Sequence, residues 1–461
     1  MDSEHRRVNV LLLPWLAHGH ISPFLELAKR LATRNFDIHF CSTPFNITSI
    51  KQGLLPPNSS ASIHFVELHL PLSPELPPPH HTANALPPHL MSSLKTAFNN
   101  STSSFSTILK TLNPDLLIYD YVPLWAPVLA SSMNIPAVQF LSVGATMASF
   151  AMHFSQNPTI NFPFPSIYLR NHEQEKFKLV LESVNRSKQR ALAQKCPENS
   201  SNMLLIKSFR EIEGKYLDYL SALTKKKVVT VGPLVQDPID NPITDSEFIK
   251  WLDKKEPFST VFVSFGSEYC LCKEEIEEIA HGLEQSKVNF IWVLRFHVEL
   301  EKIGFKEALP ERFIQRVGKR GKVAERWAPQ SRILGHRSIG GFVSHCGWSS
   351  VMESMKNGVP IIAMPMHFDQ PLNARLVEEV GVGIEVKRDG NGRLQRTELA
   401  EVIRAVVKEE SETGEKVRRR AKEVRECLRC KGDGEMDDVA EELFATMQHT
   451  SVKLQFQAQD T

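Results

Sequence analysis

Short apolar runs alternate with helix-forming stretches along almost the whole chain, and this alternation narrows the fold more than any other feature. Val8–Leu13, Ile38–Ser42, Ile63–Leu68, Leu116–Tyr119 and Ala137–Leu141 read as buried strands in the first half. Thr260–Phe265, Phe290–Leu294, Gly341–Ser344 and Ile361–Met364 do so in the second. Among the intervening stretches, Ile21–Thr33 puts Phe24, Leu25, Leu27, Ala28 and Leu31 on one side of a helix. Glu274–Glu284, Ser349–Lys356, Pro371–Val380 and Glu398–Lys408 also have helical periodicity. Strands that are apolar throughout, alternating with helices, predict an α/β protein with parallel sheets.

A chain of 461 residues, 42% of them apolar, can build two such cores. Gly232–Asp245 holds three prolines and several Asp and Asn residues, the composition of a linker. The expected division is therefore a first domain over 1–235, a linker over 236–247 and a second domain over 248–461. The proline-rich stretch Leu70–Leu90 reads as a long functional loop over a cleft between the domains rather than as a ligand for a proline-recognising partner. No internal sequence repeat is found, so the halves are expected to be similar folds with different sequences.

Charge excludes several function classes. Lys+Arg of 54 against Asp+Glu of 53 gives a net charge of +1, with no basic excess for nucleic acid and no polybasic block for an anionic membrane. No run approaches the ~18–20 apolar residues that span a bilayer. The chain opens Met1-Asp-Ser-Glu-His-Arg-Arg and passes straight into a strand, so a cytoplasmic protein is expected. On that reading Asn46-Ile-Thr, Asn58-Ser-Ser and Asn100-Ser-Thr are surface asparagines rather than glycosylation sites. Seven cysteines form no disulfide framework. Cys427-Leu-Arg-Cys430 lies in a charged helical stretch, far in sequence from Cys270-Leu-Cys272, and does not read as a zinc site.

The chemistry is concentrated between Trp327 and Gln370. Trp327 follows a short strand and begins Trp-Ala328-Pro-Gln330; at the carboxyl end of a parallel strand an indole can stack on a base, while the backbone of Ala328 addresses the base edge. Gly340-Gly-Phe-Val-Ser-His345 ends a strand, and Cys346-Gly347-Trp348-Ser349-Ser350 starts a helix. A helix N-terminus suits a diphosphate, with Gly347 permitting close approach and His345, Ser349 and Ser350 able to donate. Glu353, one turn beyond Ser349, can accept from both hydroxyls of a ribose. Asp369-Gln370 places a carboxylate beside an amide, a pair able to bond adjacent sugar hydroxyls, although the same residues before Pro371 could be a helix cap. Phe265-Gly266-Ser267 forms a further turn that could face the diphosphate. Neither a G-x-G-x-x-G nor a P-loop sequence occurs, which argues against a nicotinamide-dependent oxidoreductase.

Near the N-terminus, Leu13-Pro-Trp-Leu-Ala-His18-Gly-His20 leaves the first strand and enters the first helix. Either histidine could serve as a general base there. A carboxylate that orients the base would come from Asp120, at the end of the strand Leu116–Tyr119, or from Asp115 before it; Asp115 would sit at the opposite end of the sheet.

Together these segments resemble the plant family-1 uridine-diphosphate-sugar glycosyltransferases over nearly the whole chain. The resemblance implies the GT-B architecture: two facing Rossmann-like domains, the active site between them, and C-terminal helices that return to the first. It selects His20 as catalytic base and Asp120 as its partner. It assigns Trp327, Ala328, Gln330, His345, Gly347, Trp348, Ser349, Ser350, Glu353, Asp369, Gln370, Gly266 and Ser267 to the UDP-sugar, with Asp369-Gln370 as the hexose clamp. The implied reaction is inverting, needs no metal, and employs UDP-glucose as a donor substrate rather than a cofactor; no Asp-x-Asp motif occurs. A monomer is expected. Leu-Pro-Trp-Leu-Ala-His-Gly-His-Ile-Ser, Ser208-Phe-Arg-Glu-Ile-Glu-Gly-Lys-Tyr216 and Phe-Gly-Ser-Glu-Tyr are similar to the branch that adds a sugar to an existing sugar. A flavonoid, triterpenoid or apocarotenoid glycoside is then the expected acceptor, with Gln139 and Ser142 near it. One departure is Ser349, where the family has Asn. UDP-rhamnose as donor, direct transfer to an aglycone, and a non-catalytic UDP-sugar binder are the alternatives.

Overall fold

The computed structural model describes residues 7–53, 63–84, 86–184, 201–236, 246–295, 308–325, 327–408, 411–431 and 434–459. Asn58 and residues 237–245 of the expected linker lie outside them. The chain forms two compact units. The first comprises Met1–Thr159, Leu181–Leu234 and Gly432–Thr461; the second comprises Ile160–Val180 and Val235–Lys431.

The first unit is built on seven parallel strands: β1 (Val8–Leu13), β2 (Phe36–Ser42), β3 (Ile63–Glu67), β4 (Leu116–Tyr119), β5 (Ala137–Leu141), β6 (Met203–Ile206) and β7 (Lys227–Thr230). They lie in the order β3-β2-β1-β4-β5-β6-β7. Its core holds Val10, Leu12, Ile38, Phe40, Ile118 and Phe140 against Phe24, Leu27 and Leu31 of the helix His18–Ala32. The last helix, Gly434–Gln459, packs on this unit through Met436, Val439 and Leu443, and Phe444 stacks on Phe36 at 4.7 Å. The proline-rich stretch contributes Leu70, Leu76 and Leu86 to a second cluster that includes Leu11, Leu117 and Trp125. Among its described residues the prolines leave short 3₁₀ turns at Pro78–His80 and Pro88–Leu90.

The second unit has six parallel strands: β8 (Thr260–Ser264), β9 (Asn289–Leu294), β10 (Gly321–Glu325), β11 (Ile339–Ser344), β12 (Ile361–Ala363) and β13 (Gly383–Glu385), in the order β10-β9-β8-β11-β12-β13. This is the order of the first six strands of unit one, so both halves are doubly wound sheets. In each, the winding reverses between the first and fourth strands, β1/β4 and β8/β11. That reversal opens a crevice at the strands' carboxyl ends, where such sheets bind ligands.

Residues 160–180 precede the linker in sequence yet pack with the second unit. Buried charge fixes them there. Arg375 Nη2 donates to both oxygens of Glu173, at 2.9 and 3.1 Å, while Arg170 Nη1 reaches Glu385 Oε1 at 2.6 Å. Arg375 and Glu385 also pair.

Candidate active site on two parallel sheets

In the first unit the reversal point gathers the expected base and its partner. His20 lies in the first turn of the helix following β1, which begins at His18, three residues before the expected Ile21. Asp120 follows β4, with its amide donating to Leu13 O. His20 Nδ1 and Asp120 Oδ2 are 2.7 Å apart, and the side chains are 17% and 0% exposed. Asp120 is held from three sides: Oδ2 also accepts from the Trp15 amide at 3.0 Å, and Oδ1 from the Tyr121 amide at 2.7 Å. The carboxylate can therefore keep a proton on Nδ1 and leave Nε2 as the basic nitrogen.

The two rivals lie elsewhere. His18 is exposed, its amide bound to Asn84 Oδ1 at 2.8 Å. Asp115 accepts from the Asn9 amide at 2.9 Å, at the amino ends of β1 and β4. Ser142, after β5, brings its hydroxyl to 3.3 Å from His20 Nδ1, whereas Gln139 is half-buried on β5. The Ser208–Glu213 motif is structural. Glu213, wholly buried, accepts from the Ala145 and Thr146 amides at 2.9 and 2.7 Å and from the Ser208 hydroxyl at 2.5 Å. It thereby caps the helix Ala145–Gln156 from outside, and burial raises its pKa against the pull of those donors.

In the second unit, β8 and β11 bring Gly266 and His345 into contact. A Cβ on Gly266 would lie 2.6 Å from His345 Nε2, and one on Gly347 would lie 2.5 Å from it. The ring therefore occupies a slot that only two glycines leave open. Gly266 also has φ +76°, a conformation that side chains rarely adopt. Although His345 as a residue is only half-buried, its Nδ1 is enclosed. Burial, then the neighbouring His367, lower its pKa to about 3, against a backbone hydrogen bond at Ser264. At neutral pH the ring is therefore uncharged. Gly347 is the N-cap of the helix Trp348–Asn357, and no side chain caps that helix start. First-turn N–H groups have no acceptor within their own helix.

The remaining expected residues line the same edge. Trp327 is 56% exposed, as a stacking platform must be. Ala328 is buried, and its carbonyl accepts from the Gln330 amide at 2.8 Å. Gln330 Nε2 donates to Glu353 Oε2 at 2.9 Å and to Ser350 Oγ at 3.4 Å, so these three side chains form one cluster. Ser349 is half-buried beside them on the helix, and Ser267 lies in the turn after β8. Trp348 is buried, at 4% exposure, so its backbone is the part most open to a ligand. The expected use of Gln370 also narrows. Its Oε1 accepts from the Met366 and His367 amides, both at 3.0 Å, which occupies both lone pairs, and its Nε2 lies 3.2 Å from His367 Nδ1, so one N–H is left for a sugar. Asp369 is the N-cap of the helix Gln370–Val380 but makes no capping bond there. Its Oδ2 accepts instead from Asn373 Nδ2 at 2.8 Å. Nothing in residue spacing marked Asn373, whose role is visible only once the turn after β11 lies beside that helix.

No group of three or more His, Cys, Asp or Glu side chains is gathered as a metal site, and no helix is long and apolar enough to cross a membrane, among the described residues.

Comparison with known proteins agrees across both units. The family described as "UDP-glucoronosyl and UDP-glucosyl transferase" matches residues 244–418, and "Glycosyltransferase, N-terminal domain" matches residues 6–236. UDP-glucosyltransferase 29 of Panax ginseng is 55% identical over 452 residues, covering 96% of this chain and 98% of the relative. The beta-D-glucosyl crocetin beta-1,6-glucosyltransferase of Gardenia jasminoides is 50% identical over 444 residues, covering 95% and 99%. The crystal structure of Glycyrrhiza uralensis UGT73P12 complexed with glycyrrhetinic acid 3-O-monoglucuronide superposes with a TM-score of 0.82, covering 98% of each chain; at 22% identity it bears on the fold alone. The chain thus belongs to the UDP-glucoronosyl and UDP-glucosyl transferase family, among its plant members, and is a UDP-glycosyltransferase of GT-B fold.

Proposed function

We propose that this enzyme transfers glucose from UDP-glucose, with inversion, to a sugar hydroxyl of a plant specialised-metabolite glycoside. The observation that carries the catalytic part is the 2.7 Å contact of half-buried His20 with fully buried Asp120. The acceptor class is supported by the Gardenia relative, named for adding glucose to a glucosyl crocetin. Transfer among small-molecule glycosides is a reaction of cytoplasmic metabolism and would suit a single chain without a protein partner.

In the mechanism, His20 Nε2 takes the proton of the acceptor hydroxyl as its oxygen attacks the anomeric carbon. The bond from that carbon to the diphosphate breaks on the opposite face, turning an α-linked donor into a β-glycoside. Asp120 stabilises the imidazolium across the 2.7 Å bond. In the second unit, His345, the turn at Gly266–Ser267 and the helix start at Gly347–Ser350 hold the departing diphosphate through N–H and hydroxyl donation. Trp327 carries the uracil, Glu353 and Gln330 the ribose, and Asp369 with the Gln370 amide the hexose. Charge on the leaving group is met by these donors, so no step in this mechanism calls on a metal.

The test is His20→Ala, with UDP affinity measured by calorimetry and the wild-type product examined by NMR. The expected result is loss of transfer with UDP affinity retained, and a β-anomeric coupling in the wild-type product. Full activity in the variant, or an α-linked product, overturns the mechanism.

A further inference from the structure

We propose that Asn373 is a positioning residue that fixes the sugar-selecting carboxylate of Asp369 against the diphosphate-binding turn, and so sets donor-sugar discrimination. The inference rests on the reading of Asp369 as the hexose clamp. Asn373 is 0% exposed and lies on the helix Gln370–Val380. Its single amide nitrogen donates twice, to Asp369 Oδ2 at 2.8 Å and to Cys346 O at 2.9 Å. Cys346 belongs to the turn that seats His345 and Gly347, and it holds φ +63°. One NH₂ group therefore ties the carboxylate to the backbone beside the phosphate-facing histidine, across 27 residues of sequence.

Two features make this bridge specific. Asn373 Oδ1 is buried with no hydrogen-bond partner, so the hydrogen bonds of this side chain are those its nitrogen makes. The turn itself has other supports: the Cys346 amide donates to Ser344 Oγ at 3.1 Å, and the Val351 amide to Gly347 O at 3.1 Å. Removing Asn373 should therefore disturb the direction of the carboxylate more than it disturbs the phosphate site. A carboxylate that must separate hydroxyl epimers needs a fixed direction, because a hydrogen bond weakens steeply once its angle departs from line.

The experiment uses the full chain with Asn373→Leu, which keeps the branched outline at a larger volume, and Asn373→Ala as a second form; Asp369→Ala and the double variant complete a cycle. Thermal melting confirms folding. Affinities for UDP and UDP-glucose are measured by calorimetry, and kcat/KM is measured for UDP-glucose and its 4-epimer UDP-galactose. Loss of a hydrogen bond to a charged group should lower the preference for UDP-glucose over UDP-galactose by about tenfold, with UDP affinity changed by less than about threefold. The double variant should be no worse than Asp369→Ala, because Asn373 acts through Asp369. Unchanged epimer preference, parallel loss of UDP and UDP-glucose affinity, or additive effects in the cycle would each reduce Asn373 to a packing residue. If Asp369→Ala itself leaves the preference for UDP-glucose untouched, the clamp reading fails first and takes this proposal with it.

Discussion

Asp120→Asn tests the catalytic pair with little change of shape. The carboxylate receives three N–H groups, from His20, Trp15 and Tyr121, and an amide offers only one acceptor oxygen. If that oxygen faces Tyr121, the NH₂ group confronts the Trp15 amide and forces His20 to accept at Nδ1. The imidazole proton then moves to Nε2, the nitrogen that must act as base. If the amide flips, the NH₂ group meets the Tyr121 amide instead. Either way one N–H loses its acceptor, at a cost of about 1–3 kcal/mol in stability where it is the buried Trp15 amide and less where it is that of Tyr121. Loss of the charge-assisted bond to the imidazolium, together with the wrong tautomer, should raise the barrier by about 3–5 kcal/mol, or roughly 10²–10⁴ in kcat. The assay is kcat with UDP-glucose and a monoglucoside acceptor, alongside UDP affinity. The donor residues belong to the other unit, so UDP binding should stay at the wild-type level. A kcat within about fivefold of wild type in a folded variant, a barrier change of only ~1 kcal/mol, would refute the reasoning.

Other outcomes follow from the second unit. Gly347→Ala puts a carbon 2.5 Å from His345 Nε2 and should displace the ring, weakening UDP binding by about tenfold or more by calorimetry. Trp327→Ala removes an exposed stacking face and should weaken UDP by about 1–3 kcal/mol, with kcat at saturating donor little changed. Burial holds the pKa of His345 at about 3 and that of His367 at about 4, against 6.5 for the ordinary side chain. A depressed histidine takes up its proton more readily in the unfolded chain, so its contribution is complete above pH ~6.5 and is lost as pH falls toward the folded value. Urea unfolding of the second unit should therefore lose up to about 1.4 kcal/mol per pH unit per such histidine below that point. His367→Asn should flatten the slope, and an unchanged slope would contradict the assignment. Arg375→Met leaves Arg170 alone to serve the buried carboxylates of Glu173 and Glu385 and should destabilise the second unit by about 1–3 kcal/mol in the same denaturation measurement.

The fold was legible where a strand is apolar along its whole length. β1, β4 and β5 occupy the residues expected of them, and β8, β9, β11 and β12 differ only at their ends. β6, β7 and β13 were not marked. Gly383–Glu385 is three residues long and ends in Glu, and Lys227–Thr230 begins with an exposed Lys, so neither stands out as an apolar run; Met203–Ile206 is as short and as apolar as β4 and carries no feature that should have hidden it. The attachment of residues 160–180 to the second unit could not be read from order along the chain. It depends on Arg170 and Glu173 meeting Glu385 and Arg375, partners more than 200 residues away. At the site, turn chemistry marked His20, Asp120 and the helix start at Gly347, because each lies directly after a strand. What the residues offer a ligand was less visible. Trp348 is buried, Gln370 has its oxygen already committed, and Asn373 gains its position only from a turn 27 residues earlier.

The central claim is that this enzyme extends a sugar already attached to a small molecule. The purified protein would be incubated, with EDTA present, with UDP-glucose and a matched pair of acceptors: a flavonoid or triterpenoid aglycone and its monoglucoside. Mass spectrometry would count the hexoses added to each. One added hexose on the monoglucoside and none on the aglycone is the expected result. Transfer to the aglycone alone would contradict it, and transfer to neither with UDP-glucose but to the monoglucoside with UDP-rhamnose would overturn the choice of donor.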